Sequence, residues 1–70
     1  MNELSRLIIP SLKTGDMVNL VLQSNSMIGK IEKYRQDLDA IDISDVYSSD
    51  VYLPFTFTIS THLIVELVKL

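Results

Sequence analysis

The side chains that could do chemistry gather in two short polar segments, residues 35–39 and residues 60–62. Asp37 and Asp39 form a pair of carboxylates, and paired carboxylates can exchange protons with a substrate or bind a divalent cation. His62 is the only histidine, and an imidazole can donate a hydrogen bond to a phosphate or stack on a base. The alternative for each set is a solvated loop or turn with no further role.

Catalysis needs more than these residues supply. A nucleophilic triad requires a histidine beside an activated nucleophile and an orienting carboxylate, and no nucleophile motif accompanies His62. Gly15 and Gly29 are the only glycines, so the chain has no glycine-rich phosphate loop. The sequence therefore predicts a non-enzymatic protein with no catalytic residue, no metal site, no cofactor and no small-molecule substrate.

Positive and aromatic side chains accompany the first polar segment. Lys30, Lys33 and Arg35 could neutralise phosphates and would make binding salt-dependent. They could equally be edge-strand cations that hinder aggregation. Tyr34 and Tyr52 are candidates for stacking on a base.

Length and composition limit the classes of protein that fit. Seventy residues form a single domain, residues 1–70. The net charge of −3 argues against a broad basic surface, so any nucleic-acid site must be local. The chain contains no run of about 18 apolar residues, so no membrane span is predicted. The N-terminus also lacks the pattern of a signal peptide. With no cysteine in the chain, the expected location is the cytoplasm, with no membrane partner.

One helix and five strands are predicted to position these residues. Asn2 is a candidate N-cap for a helix over residues 2–9 that Pro10 would end; an extended arm at residues 7–9 is the alternative. Apolar and polar residues then alternate, which indicates half-buried strands. These strands cover residues 17–22, 27–34, 40–46, 51–59 and 63–70. Gly29 predicts a bend or a close backbone approach within the second strand.

The alternation also predicts which side chains form the core. In the fourth strand one face carries five apolar residues, which are Val51, Leu53, Phe55, Phe57 and Ile59. Pro54 implies an edge or a bulge in that strand. Tyr34 lies on the face opposite Ile31 unless the second strand bulges, and Asp42 and Asp45 in the third strand are expected to face water.

A helix and five strands in a closed or nearly closed meander form a small all-β, SH3-like barrel. The last strand is apolar on both faces except at Glu66 and Lys69. A chain of this length has little mass left to cover such a strand, so a second copy is the expected cover. Two edge strands remain, and a symmetric ring could satisfy them by pairing strands between subunits.

The order of one helix and five strands, with polar loops after the second and fourth strands, resembles the Sm/LSm family, including its Hfq-like members. Gly29, Ile31 and Tyr34 match the glycine, apolar and aromatic positions of the first Sm motif. Leu38 matches the next apolar position, and Asp39 stands where the family usually has asparagine.

Two loop residues and the second Sm motif depart from the family pattern. Arg35 replaces the usual aspartate, and Asp37 occupies a position where the family often stacks a base on an aromatic residue or histidine. The second motif keeps its apolar ends, Ile59 and Ile64, but has lost its Arg-Gly pair. His62 falls at the histidine of the Hfq version, with Ser60 and Thr61 in place of tyrosine and lysine.

The resemblance implies a homo-oligomeric ring of about five to seven subunits that binds single-stranded RNA, or DNA, near its pore and acts in RNA or DNA processing or metabolism. The implied contact residues lie in the two polar segments and just before the first; they are Lys33, Tyr34, Arg35, Asp37, Asp39, Ser60, Thr61 and His62. The alternative, which the acidic charge and the missing Arg-Gly favour, is a protein-interaction or assembly module on the same barrel.

Overall fold

The computed structural model describes all 70 residues and contains one α-helix, two short 3-10 helices and six strands. In chain order these are α1 (Glu3–Ile8), a 3-10 helix (Ile9–Ser11), β1 (Met17–Leu22), β2 (Ser26–Arg35), β3 (Ala40–Ser48), β4 (Val51–Leu53), β5 (Phe57–Ser60), a second 3-10 helix (Thr61–Leu63) and β6 (Ile64–Lys69). The chain is therefore all-β with a short N-terminal helix, as the sequence predicts.

The strands form one antiparallel sheet in the order β4-β3-β2-β1-β6. β5 also pairs with β3, so β4 and β5 lie one after the other along the same strand. No pairing joins β6 to β4 or β5, and the hydrogen-bonded sheet is open. The second 3-10 helix carries the chain directly from β5 to β6, which pairs with β1 at the other side of the sheet.

The N-terminal segment is a helix and not an extended arm. The side chain of Asn2 accepts a hydrogen bond from the backbone N–H of Ser5 at 2.8 Å, as expected of an N-cap. Pro10 does not end the helical path at once. A 3-10 turn continues to Ser11, because proline fits the first positions of such a turn, where no N–H is required.

Gly29 in β2 lies at a close approach between strands, one of the two outcomes that the sequence predicts for it. A Cβ at Gly29 would lie 3.1 Å from the side chain of Ile43, so the backbone of β2 closely approaches β3 there. The pairing of β2 with β3 shifts register around this glycine and again between Ile31 and Lys33. These irregularities turn Tyr34 towards the core, against which its ring packs.

The predicted fourth strand over residues 51–59 is wrong in one respect. It is interrupted at residues 54–56 and forms two short strands, β4 and β5, because Pro54 has no N–H for a ladder. The expectation that Phe55 lies in the core is also wrong, since this residue is 62% exposed at the interruption. Val51 is exposed as well, whereas Phe57 packs against the core and Ile59 lies within it.

Asp42 in β3 is buried, so the expectation that it faces water is wrong. It is only 9% exposed, and its carboxylate accepts a hydrogen bond from the Thr58 hydroxyl at 2.6 Å. The strand register sets Asp42 directly opposite Thr58, which explains how the charge is satisfied. Asp45 is partly solvent-exposed.

A single apolar core lies against the sheet. It consists of Val18, Leu20, Ile31, Ile41, Ile43, Val46, Ile59, Ile64 and Leu67. β6 contributes Ile64 and Leu67 to it, while Val65 and Val68 of the same strand remain exposed. The prediction that the last strand has apolar residues beyond those the chain can bury is confirmed.

Candidate nucleic-acid interface

The turn between β2 and β3 presents the first polar segment. It is held by backbone hydrogen bonds from Leu38 N–H to the Arg35 carbonyl and from Asp39 N–H to the Gln36 carbonyl. Asp39 closes the turn with φ of 48°, in the left-handed region that aspartate tolerates better than most residues. This conformation directs the Asp39 carboxylate back towards the body of the domain.

Asp39 is the centre of a hydrogen-bond network. The Tyr34 hydroxyl donates to Asp39 Oδ1 at 2.7 Å, and the Arg6 guanidinium donates to Asp39 Oδ2 at 3.2 Å. The same guanidinium nitrogen lies 3.4 Å from the Thr61 hydroxyl. One carboxylate thus connects helix α1, the end of β2 and the second 3-10 helix.

The hydrogen bonds from Arg6, then from Tyr34 and Thr61, hold the pKa of the Asp39 carboxyl well below its ordinary value. The same contacts raise the pKa of Arg6 and of the Tyr34 phenol. Asp39 therefore stays ionised, and both of its oxygens already accept a hydrogen bond within the chain. Any base that Asp39 contacts must share these oxygens with Tyr34 and Arg6.

The structure brings the two polar segments of the sequence together. The Thr61 N–H donates to the Asp39 carbonyl at 2.9 Å, and Ser60 pairs with Ala40 in the sheet. Thr61 is fully buried, so it positions the turn and has no surface of its own to offer a ligand. The Ser60 hydroxyl accepts from the His62 N–H at 3.2 Å and caps the second 3-10 helix.

A cleft of about 600 Å³ lies beside the first turn, lined by Lys33, Tyr34, Arg35, Gln36 and Asp37. Lys33 and Asp37 are exposed, and Arg35 is half-buried. Neither Lys33 nor Arg35 forms an ion pair, whereas Arg6, Lys30 and Lys69 each face an aspartate. The cleft therefore offers two uncompensated cations beside a tyrosine, with one carboxylate at its rim.

His62 contributes to a different cleft. This second cleft, of about 590 Å³, is lined on one side by residues 62–65 and on the other by residues 22–25, with Met1 and Asn2 at its end. It is half apolar and carries no lysine or arginine. The eight predicted contact residues are thus divided. Six belong to the cleft beside the first turn, hereafter the cation cleft, or to the Asp39 network next to it. Ser60 caps the second 3-10 helix, and His62 lies in the other cleft.

Sequence reasoning missed Arg6, the residue that ties the N-terminal helix to the turn. Arg6 and Asp39 are 33 positions apart, and no local spacing rule connects them. The one available signal is that Arg6 is the only basic residue in the last turn of the helix, where a cation is favoured by the helix dipole.

No family model matches the sequence, and neither the curated proteins nor the solved structures yield a match. No helix is long and apolar enough to cross a membrane. No three histidine, aspartate or glutamate side chains are arranged to hold a metal ion.

Proposed function

We propose that this chain is a non-enzymatic, single-stranded nucleic-acid-binding protein that assembles into a homo-oligomeric Sm-like ring and acts on RNA. The observation that carries the proposal is the cation cleft, in which the unpaired Lys33 and Arg35 line one cavity together with the half-buried Tyr34. Cations for phosphates beside an aromatic ring for a base are the two elements of single-strand recognition. The proposal places the ring in the cytoplasm and gives it a role in RNA processing or metabolism.

The dimensions of the domain support an SH3-like barrel. A flat sheet of five strands would be about 20 Å wide and about 10 Å thick, but the domain measures 29 × 24 × 22 Å. Curling of the sheet, together with the helix packed on β6, accounts for these nearly equal dimensions, and the bulges in the β2–β3 pairing provide curvature. We infer a partly open barrel with the single 3-10 turn of residues 61–63 at its seam.

The sheet edges support self-association. β4 and β5 pair only with β3, and no turn or loop hydrogen bond uses the backbone of residues 51–60. β6 exposes Val65 and Val68 beside Leu63 and Leu70. Pairing the β4–β5 edge of one copy with β6 of the next would cover both regions and close into a ring. Repeating a weak contact around a ring multiplies it into useful avidity.

Charge limits the mode of binding. The net charge of −3 gives no long-range attraction for a polyanion, and Asp37 at the rim repels phosphate. Contact must therefore come from the local field of Lys33 and Arg35 and from stacking. We expect modest affinity per subunit and a salt dependence set by the number of phosphates contacted.

Fluorescence anisotropy with oligo-U and oligo-A at several salt concentrations tests the proposal. We expect Lys33→Gln and Arg35→Gln each to weaken binding several-fold and to reduce the salt slope by about 0.7 per contact. Lys69→Gln is the matched control, because it removes the same charge from β6, where Lys69 pairs with Asp16 at 3.5 Å. Absence of binding at low salt by folded, assembled protein would overturn the proposal.

A protein-assembly module is the second candidate. An exposed row of side chains crosses the outer face of three adjacent strands at Ile28, Tyr47 and Tyr52, which are directly paired in register. Exposed apolar and aromatic rows of this kind are typical of protein contacts. A protein partner captured equally well before and after nuclease treatment, together with no RNA binding, would favour this candidate.

A further inference from the structure

Helix α1 occupies the outer edge of β6. The Leu67 N–H donates to the Ser5 hydroxyl at 2.9 Å, and that hydroxyl lies 3.4 Å from the Leu67 carbonyl, to which it donates. The Asn2 N–H donates to the Val65 carbonyl at 3.2 Å. In an antiparallel strand, the N–H and C=O of one residue point to the same side, and alternate residues share that side. Val65 and Leu67 therefore direct these groups away from β1, where a further strand would pair.

We infer that residues 2–8 are an intramolecular cover that competes with a second copy of this chain for the β6 edge. The inference rests on the self-association proposed above and adds its regulation. A neighbouring strand needs the backbone groups of Val65 and Leu67. Asn2 and Ser5 already hold the Val65 carbonyl and both the N–H and the carbonyl of Leu67. The covered state is closed to assembly through β6, while the β4–β5 edge stays open.

The cover is attached by few contacts. α1 has six residues, and a helix so short has no stability of its own in water. Of its three apolar residues, Leu4 and Leu7 are each 71% exposed, and Ile8 alone packs against the core. The attachments are the Asn2 and Ser5 bonds to β6, the Arg6–Asp39 ion pair and the packing of Ile8 against the core. A strand from a second copy would offer more backbone bonds than the cover provides.

This inference explains why apolar side chains beside the cover are exposed: they would contact the second copy. Val65 and Val68 are 49% and 38% exposed on β6. The outer edge of β4–β5 makes no backbone hydrogen bond beyond those with β3. The β4–β5 edge is already open, and the β6 edge becomes available once the helix moves, so that the two edges of neighbouring copies can then pair. Assembly is then set by the fraction of chains with the cover open.

The test compares association of four full-length variants by sedimentation velocity across a concentration series without nucleic acid. Ser5→Ala removes the bonds to Leu67, and Arg6→Ala removes the ion pair without touching β6. Ser24→Ala and Lys30→Ala are the matched controls, since Ser24 is an exposed loop residue and Lys30 is a cation paired with Asp45 instead of with Asp39. We expect the first two to associate at least about tenfold more tightly than wild type and the controls to match wild type.

Three outcomes overturn the cover or separate it from the proposed function. Equal association of all variants and wild type, with ring formation, overturns the cover and leaves the ring. No association by any of them overturns both. Tighter association of Ser5→Ala and Arg6→Ala without oligo-U binding supports the cover and removes the nucleic-acid function.

Amide exchange keeps the inference testable if Ser5→Ala fails to fold. In the monomer we expect Arg6→Ala to speed hydrogen exchange at the Leu67 N–H while the amides of β2 and β3 retain their protection. Leu67 exchange that is no faster in Arg6→Ala than in wild type overturns the inference.

Discussion

Two clusters in this domain have nearly the same chemistry and different positions. Asp39 accepts from the Tyr34 hydroxyl at 2.7 Å and pairs with Arg6 at 3.2 Å. Asp45 accepts from the Tyr52 hydroxyl at 2.7 Å and pairs with Lys30 at 3.1 Å. Both aspartates have positive φ, 48° and 49°. Each cluster is a carboxylate, a phenol and a cation built around a left-handed residue.

The clusters differ in what they connect. The Asp45 cluster joins residues of neighbouring strands, and the Asp45 side chain is 49% exposed. The Asp39 cluster joins the N-terminal helix, the β2–β3 turn and the second 3-10 helix, and its carboxylate is 31% exposed. Two nearly equivalent sets of groups should therefore contribute unequally to the stability of the fold. The Asp39 cluster bridges elements that no strand pairing connects, whereas the Asp45 cluster reinforces strand pairing that already exists.

The largest difference is expected from removing the carboxylates. Asp39→Ala leaves Arg6 and Tyr34 without their acceptor and places alanine at positive φ, so we expect the melting temperature to fall by roughly 5–10 °C. Asp45→Ala introduces the same strain but loses only solvent-exposed partners, and we expect a fall of less than about half that. Thermal denaturation followed by circular dichroism measures both, and equal falls would contradict the comparison.

The next largest difference between the two clusters is expected from removing their cations. Arg6→Ala breaks the link between α1 and the turn, so we expect the helix to lose order and residues 2–8 to exchange their amide protons quickly. Lys30→Ala removes a surface pair and should leave amide protection in β2 and β3 close to that of wild type. Similar exchange patterns in the two variants would mean that Arg6 is a surface cation like Lys30.

A smaller effect is expected on the pH dependence of stability, and the lowered pKa values of the two aspartates define its sign. Hydrogen bonds from Arg6 lower the pKa of Asp39, and those from Tyr52 and Lys30 lower the pKa of Asp45 from its ordinary value of 3.8. A depressed folded-state pKa stabilises the fold above the unfolded value, and this contribution is lost as pH falls below about 4 towards the folded value. The depression is larger at Asp39.

Carbon-13 NMR of the carboxyl groups reads the two sites separately. We expect the Asp39 resonance to remain that of the ionised form at a pH where Asp45 has begun to take up a proton. Arg6→Ala should move the Asp39 titration towards higher pH and leave that of Asp45 unchanged. If Asp39 takes up its proton at a higher pH than Asp45 does, the hydrogen-bond partners assigned to Asp39 are wrong.

Local patterns explain which parts of the fold were predictable. Alternation in residues 17–22 reports burial directly, and Gly29 marks a close approach, where an added Cβ would lie 3.1 Å from the Ile43 side chain. The same alternation misleads at Phe55, because apolar periodicity continues across Pro54 even though the ladder cannot. Asp42 is charged and therefore expected outside, but cross-strand pairing with Thr58 satisfies it inside.

The candidate site was predictable to a similar extent. Its residues lie in the polar turns that the sequence displays, and Lys33, Tyr34 and Arg35 do line one cleft. The separation of His62 and the participation of Arg6 depend on how distant segments pack, and no spacing along the chain contains that information. Asp39 illustrates the limit: its type suggests a ligand contact, and its internal partners appear only once the chain is folded.

The phenols provide the finest comparison. Tyr34→Phe and Tyr52→Phe each remove one hydroxyl that donates to an aspartate at 2.7 Å, and both keep the ring. Because Tyr34 packs against the core and Tyr52 is 46% exposed, water can replace the lost donor more easily at Asp45 than at Asp39. We expect a fall in melting temperature of a few degrees for Tyr34→Phe and no measurable change for Tyr52→Phe.

If oligo-U stacks on Tyr34, Tyr34→Phe retains the aromatic face and should bind with nearly wild-type affinity, whereas Tyr34→Leu should not. A loss of affinity in Tyr34→Phe equal to that in Tyr34→Leu would assign the hydroxyl, and with it the Asp39 network, to the ligand contact.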